Sequence, residues 1–484
     1  MKLKQILPFC LLFIIVLSSC RKDELITDSS AKLEFSVDSV LFDTVFHYAG
    51  STTKVFRIYN KHDQPINISK AYLAGGTGSA FKLNIDGIST TASMPVLTDI
   101  EILGGDSMYV FVQVYVNPSG SMPLLIKDSI IFETNGNIQD VKLTAIGQDV
   151  YLHKPNVFPT NGFPPYSIIG REGFDTILPT DKPHLFFGYT IIDSDCILTM
   201  DQGTKCYFNK YAVLMVFEDG TLNVTGVKGN EVTFQGARLE AEYKEVPGQW
   251  GKIWLYRLSK NNVIDWAIIK NGGIGIQVDT VASLTTPTLR ISNTIVKNMS
   301  AAALYGQGAH IRAWNCVFAN CGQFVAALTI GGKYKFEHCT FANYWSYDSR
   351  TTPAILLSNY YESSAGTILR PLDSCYFGNC IIYGDIAEEV GMDSSAAAGP
   401  GFFKYEFENC DIKTQHSFDG HYTFCVNGDP GFVDVTVNNY KLGSATAFAV
   451  DKGTTSIFIS PDLNNSPRPN PTTSIPDLGA YEFY

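Results

Sequence analysis

The sequence predicts an all-β protein: an N-terminal immunoglobulin-like sandwich followed by a right-handed parallel β-helix. Three observations carry this. The 484 residues include 31 Phe, 25 Tyr, 41 Gly and 22 Pro, a composition suited to strands joined by many tight turns. Residues 32–150 alternate apolar and polar side chains in short runs. From about residue 185 a unit of roughly 22 residues recurs, the mark of a stacked repeat. Hydrophobic residues make up 45% and charged residues 17%, which fits a folded chain rather than extended disorder.

At the start, Lys2 and Lys4 precede an apolar run from Ile6 to Leu17, the pattern of a secretory signal and too short to span a membrane. The segment Leu17-Ser18-Ser19-Cys20 resembles a bacterial lipobox. Residues 1–19 therefore read as a lipoprotein signal peptide, with cleavage before Cys20 making that thiol the site of lipidation. The alternative is an ordinary signal beside an incidental cysteine. Several acyl chains at one end anchor stably, since each buried methylene contributes about 0.8 kcal/mol. Arg21-Lys22-Asp23-Glu24 resembles the surface-export signal of some Gram-negative lipoproteins, and residues 20–31 read as a lipidated tether. The expected location is the outer membrane, lipid-anchored at the cell surface.

Within 32–150, Val55-Phe56-Arg57-Ile58-Tyr59 and the run from Met108 to Val116 are strands by propensity. Asn135-Gly136, between Ile130-Ile131-Phe132 and Val141-Lys142-Leu143, predicts a hairpin with a type I′ or longer turn. Six to eight such strands make a sandwich. This part is similar to small β-sandwich modules found beside surface and ciliary repeat proteins, which implies a spacer or adhesive role and no catalytic residue. Residues 151–184 are rich in Pro and Gly and read as a linker and β-helix N-terminal cap.

Over 185–484 the repeat aligns Asn293-Thr294-Ile295, Asn315-Cys316-Val317, His338-Cys339-Thr340, Asn379-Cys380-Ile381 and Asn409-Cys410-Asp411. The intervals are 22, 23, 41 and 30 residues, so the third rung carries an insertion near Tyr344 to Arg370. Thr294, Cys316, Cys339, Cys380 and Cys410 then share one inward column. Stacked rungs hold Cβ atoms about 4.8 Å apart, wider than a disulfide prefers, so these cysteines read as buried thiols. Asn271, Asn298, Asn320 and Asn343 form a second column at a turn, expected to pass amide hydrogen bonds from rung to rung.

The architecture resembles the pectate-lyase-like β-helix superfamily. Asp429-Pro430-Gly431-Phe432, Val450-Asp451-Lys452-Gly453, Pro476-Asp477-Leu478-Gly479 and Val246-Pro247-Gly248-Gln249-Trp250-Gly251 carry the resemblance, the far end looking like a terminal rung. Such folds include hydrolases and lyases, but their motifs are missing. Asn293-Thr294 is followed by Ile295 rather than Asp, no Asp-Asp pair occurs, and Gly420-His421 is followed by Tyr422. Arg370-Pro371 and Arg468-Pro469 do not fit the lyase pattern. No catalytic residue is assigned, and the reading leans away from an enzyme. Asp385, Glu388, Glu389 and Asp393 form the best acidic cluster. They read as a solvated loop in preference to a calcium site, so no metal or cofactor is assigned.

One positive feature remains. Arg290, Arg312 and Lys335 each lie three residues before Asn293, Asn315 and His338. The intervening Ile291, Ala313 and Phe336 are apolar, so the cations should point outward and stack at rung spacing. This requires a corner that breaks the alternation before the cysteine column. Trp314 and Glu337 fall in the next outward column. The stripe suits an extended acidic polysaccharide, with local ion pairs to Glu337 as the plainer reading. All five tryptophans lie between 250 and 345, which favours a stacking face there. The net charge of −11 excludes a general nucleic-acid binder. Three readings stand. The first is a surface lipoprotein binding glycan or another surface partner, the second a lyase or hydrolase with an unusual site, the third a structural or adhesive spacer. Oligomeric state is not readable.

Overall fold

The computed structural model describes residues 24–47, 49–116, 124–281, 283–364 and 366–484. The apolar leader and Cys20 lie outside the described residues. The chain divides into two compact units, Met1–Asp149 and Val150–Tyr484.

The first unit is two five-stranded sheets around one apolar core. In one sheet Lys54–Tyr59, Ser107–Val114 and Phe81–Ile85 lie side by side, all antiparallel. In the other, Ser39–Phe46 runs parallel to Asn137–Gln148, and the remaining pairs are antiparallel. Alternation places Val110, Val112 and Val114 inside, while Tyr109 and Phe111 face solvent. The Asn135-Gly136 turn has φ 51° and 76°, both left-handed, as a type I′ hairpin requires, and Thr134 pairs Asn137 across it.

The second unit is a three-faced parallel β-helix, built by stacking rungs in register. One rung consists of 302–307 on the first face, 309–314 on the second and Val317–Cys321 on the third. The next rung places Ala326 beside Leu304, Lys335 beside Arg312 and Phe341 beside Phe318, all parallel. The interior is filled by stacked side chains. Phe336, Phe377 and Phe407 follow one another with ring centroids 4.9 Å apart, and Phe186 lies 4.7 Å from Phe208. Each such ring contributes about 1.5–3 kcal/mol by leaving water.

The corner between the second and third faces is set by one residue per rung. Asn293, Asn315, His338, Asn379 and Asn409 have φ between 47° and 53°. Asn tolerates this left-handed conformation better than branched residues do. The turn cancels one step of alternation, so Ala313 and Cys316 both face inward although Trp314 faces out. The corner that the repeat register required is therefore present, and Cys316, Cys339, Cys380 and Cys410 form the inward column. All nine cysteines of the described residues are free, eight buried and Cys425 half-buried.

Three expectations change. Residues 151–184 hold Tyr151–His153, Tyr166–Gly170 and Thr176–Ile177, which pair in parallel with the following strands and so begin the helix rather than link to it. Asn271, Asn298 and Asn320 do sit at left-handed corners, but the amide ladder is absent. Asn298 and Asn320 instead bond Asn438, and Asn343 bonds the backbone of Cys321 through both amide atoms. Residues 429–484 do not form a terminal rung. Apart from the antiparallel pair Phe432–Asp434 and Asn439–Leu442, they run as an irregular strap across the outside of the third face. Tyr440, Leu463 and Ala480 cover Val317, Ala319 and Ala342 there. The outward side chains under the strap include Val317, Ala319, Ala342 and Ile381, which it removes from water, whereas Lys270 and Lys297 on earlier rungs of the face pair with Glu245.

Candidate site on the second face of the β-helix

On the second face the register is explicit. Arg290 lies beside Arg312, Arg312 beside Lys335, Lys335 beside Tyr376 and Tyr376 beside Glu406. Two residues earlier, His310 lies beside Lys333 and Lys333 beside Ser374. Two residues later, Ser292, Trp314, Glu337, Gly378 and Glu408 follow one another. Ile291, Ala313 and Phe336 are fully buried between these columns, which turns the cations outward.

Glu337 compensates the like charges. One carboxylate oxygen accepts from Arg312 at 3.3 Å and the other meets Lys335 at 2.8 Å. The Glu337 side chain is only 8% exposed, whereas Arg312 and Lys335 are 45% and 47% exposed. Arg290 has no ion pair among the described residues. The Arg312 guanidinium sits 5.3 Å from the centre of the Trp314 ring, so that face of the indole is already covered. Lys335 lies 5.6 Å from the Tyr376 ring, and the Tyr376 hydroxyl donates to Glu408 at 2.6 Å.

A groove of about 450 Å³ opens on this face. Its walls carry Arg312, Lys333, Lys335 and Lys404, together with Asp373 and Glu406. A second depression of about 540 Å³ shares His310, Lys333, Asp373 and Ser374 and adds Arg370. His310 is buried, and that burial lowers its affinity for a proton, with Lys333 and Arg290 adding to the effect. Arg290 and Trp314 are outside the lining of both depressions. Lys333, Lys404, Asp373 and Tyr376 were not singled out from the sequence. His310 and Lys333 had a signal available, two positions before Arg312 and Lys335 in the same register. Asp373, Tyr376 and Lys404 follow an insertion, where the interval between rungs changes.

The tryptophans do not form a platform. Trp250 is buried and donates to the Lys270 carbonyl, and Trp254 donates to Asp279 on the first face. Trp266 packs with Val317 and Leu463 against the strap, and Trp345 donates to Asp348. The expected solvated acidic loop is also divided. Glu389 is fully buried against Arg350, Asp385 meets the same guanidinium, Glu388 accepts from Thr414, and Asp393 accepts from Tyr360. Four acids held by different partners do not converge on one point.

A family model described as a right handed beta helix region matches residues 190–341. A search of curated protein sequences returned no match. Among solved structures, the chain is similar to the catalytic unit of a thermostable GH87 α-1,3-glucanase from Streptomyces thermodiastaticus strain HF3-3. Identity there is 9%, over 77% of this chain and 88% of that one, with a TM-score of 0.24. It is also similar to a PapD-like domain of human CEP192, at 10% identity over 27% of this chain and 92% of that one, with a TM-score of 0.17. The E. coli chaperone DraB matches at 10% identity over 24% of this chain, with a TM-score of 0.17, and the alignment spans about half of it, 54%.

Proposed function

We propose that this is a lipid-anchored cell-surface protein whose β-helix holds an extended acidic glycan along its second face. The observation that carries the reading is the outward column Arg290, Arg312, Lys335, of which Arg312 and Lys335 line a groove together with Lys333 and Lys404. An acidic polysaccharide offers carboxylates about every 5 Å, close to the rung spacing of about 4.8 Å. Each exposed pair contributes under about 1 kcal/mol, so affinity comes from several acting together. The net charge of −11 opposes approach of a polyanion, and the local field of the groove must exceed it. Attachment through Cys20 rests on Leu17-Ser18-Ser19-Cys20, and Cys20→Ala should release the protein from the membrane fraction.

The test is a binding screen of the full mature chain against acidic and neutral polysaccharides, followed by R290Q/R312Q/K335Q. Binding should fall steeply with salt, since the Debye length is about 8 Å at physiological ionic strength. The triple variant should lose it, and should melt somewhat earlier because Glu337 loses both of its cationic partners. No acidic glycan ever bound by the parent would leave Arg312 and Lys335 as ion-pair partners of Glu337 and overturn the reading. Asp373 and Glu406 on the wall of the same groove favour a second reading, a glycoside hydrolase in which they flank the bound sugar. Release of reducing ends that D373N or E406Q abolishes, with binding retained, would establish it.

A further inference from the structure

We infer that the N-terminal sandwich carries a separate saccharide site, for a sugar residue bearing a carboxylate, on the solvent face of the sheet formed by Lys54–Tyr59, Ser107–Val114 and Phe81–Ile85. The argument starts from what alternation leaves outside. Val55, Tyr109, Phe111 and Tyr115 are exposed by 53%, 45%, 39% and 52%. A solvated sheet face normally carries polar residues, and apolar ones gathered on it mark a contact surface. The three strands and Tyr115 contain Lys54, Arg57 and Lys82 but no Asp or Glu, in a chain whose net charge is −11.

The cations distinguish the rings. Arg57 lies 4.5 Å from the centre of the Tyr109 ring, and Lys82 lies 4.6 Å from that of Tyr115. Phe111 has no cation over it among the described residues and stands in the wall of a pocket of about 320 Å³. Around Phe111 the register brings Asn84 on one side and Val55 on the other, with Lys82 beside Gln113. The Gln113 amide donates to Thr53 at 2.7 Å, and the Asn84 amide donates to Ser89 at 2.8 Å. Both amides are thereby oriented, and each keeps a second N–H for a ligand. Lys82 has no carboxylate partner among the described residues.

This is the chemistry of a pyranose site. The ring of Phe111 takes the C–H face of a sugar, the Asn84 and Gln113 amides take its hydroxyls, and the Lys82 ammonium takes its carboxylate. An anionic lipid surface would use the cations and rings but not two oriented amides in a concave pocket. The site stands on a different unit from the groove of the β-helix and does not depend on it.

The tryptophans separate the two sites, because all five lie between 250 and 345 and the sandwich has none. The experiment titrates the mature chain carrying R290Q/R312Q/K335Q with hexagalacturonate by calorimetry, with maltohexaose as the neutral control. The expected result is saturable binding of the acidic oligosaccharide alone, without change in tryptophan fluorescence. Adding K82Q, F111A or Q113A singly should weaken it at least tenfold. These side chains face solvent, and the melting temperature should stay that of the R290Q/R312Q/K335Q chain. No calorimetric binding in the groove variant, or binding indifferent to all three substitutions, would overturn the proposal. So would capture by phosphatidylglycerol vesicles through Lys82 and Phe111 with no response to hexagalacturonate.

Discussion

Arg350 donates to both carboxylate oxygens of Glu389, at 2.7 and 2.8 Å, with both side chains shut off from solvent. Arg350 belongs to the insertion in the third rung, and Glu389 immediately precedes the strand Val390–Asp393. The guanidinium also donates to the carbonyls of Asn343 and Thr352, and Glu389 accepts from the Ala354 amide. The pair ties the insertion to the next rung. R350A leaves a buried carboxylate unpaired and should cost about 3–5 kcal/mol in urea unfolding, whereas R350M/E389M should recover part of that loss, the backbone groups that the pair satisfied staying unpaired. Equal destabilisation by the single and double variants would show that the pair does not act as a unit.

Asn315 combines a corner with a fastening. Its amide donates to the Pro461 carbonyl at 2.6 Å, and its oxygen accepts from the buried Arg468, which also bonds Glu482 at 3.1 Å. N315G keeps the left-handed corner and loses the fastening, whereas N315A loses both. Both should cost about 1–3 kcal/mol from the unpaired polar groups, with N315A about 1 kcal/mol worse. Limited proteolysis should then cut within 443–476 in both variants before the rungs are attacked.

Asp411 should make the protein less stable at alkaline pH. Its carboxyl is pushed up to about 8, chiefly by burial, with Cys410 and Asp429 adding. Oδ1 accepts from the Gly428 amide, and Oδ2 has no hydrogen-bond partner among the described residues. The unfolded carboxyl titrates near about 4. The folded state therefore holds the extra proton between about pH 4 and pH 8, and stability from this group falls as pH rises through that window. D411N keeps the Oδ1 acceptor and carries no charge. It should melt with the parent at pH 4 and above it at pH 8. A constant difference at both pH values would rule out titration as the cause.

The cysteine column should be silent to reagents. Burial raises the thiols of Cys316 and Cys380, and Cys339 and Cys410, which hydrogen bonds from neighbouring thiols pull the other way, are equally shut off from solvent, so reagents do not reach the column. The Cys316 thiol donates to the Trp314 carbonyl at 3.2 Å. Alkylation mass spectrometry of the native protein should modify Cys425 first and Cys316, Cys339, Cys380 and Cys410 only on unfolding. A native disulfide among these four would contradict the stacking.

Glu337 sets the strength of the groove. It neutralises Arg312 and Lys335 at once, so E337Q should strengthen binding of an acidic oligosaccharide several-fold and steepen its salt dependence. Weaker binding would mean that Glu337 positions the two cations rather than competing with the ligand for them.

The repeat and the stacking of its strands were determined by the sequence alone, because residue order reports periodicity directly. The recurrence of Asn-Thr, Asn-Cys and His-Cys every 22 or 23 residues places Arg290, Arg312 and Lys335 in one column and the thiols in another, and the backbone pairs them so. The I′ turn at Asn135-Gly136 was equally local, a matter of two residues that tolerate positive φ. Only the tertiary structure decided what lies across from those columns. Lys404 and Asp373 reach the groove after insertions that break the interval. Asn320 turns to Asn438, 118 residues away, in place of its neighbour in the stack. The strap from 429 onward lies over the stretch of the third face where Val317, Ala319, Ala342 and Ile381 point outward. Periodicity registers contacts between equivalent residues of adjacent rungs, while a covering segment meets them at no fixed interval. Its partners are chosen by which surface remains to be removed from water.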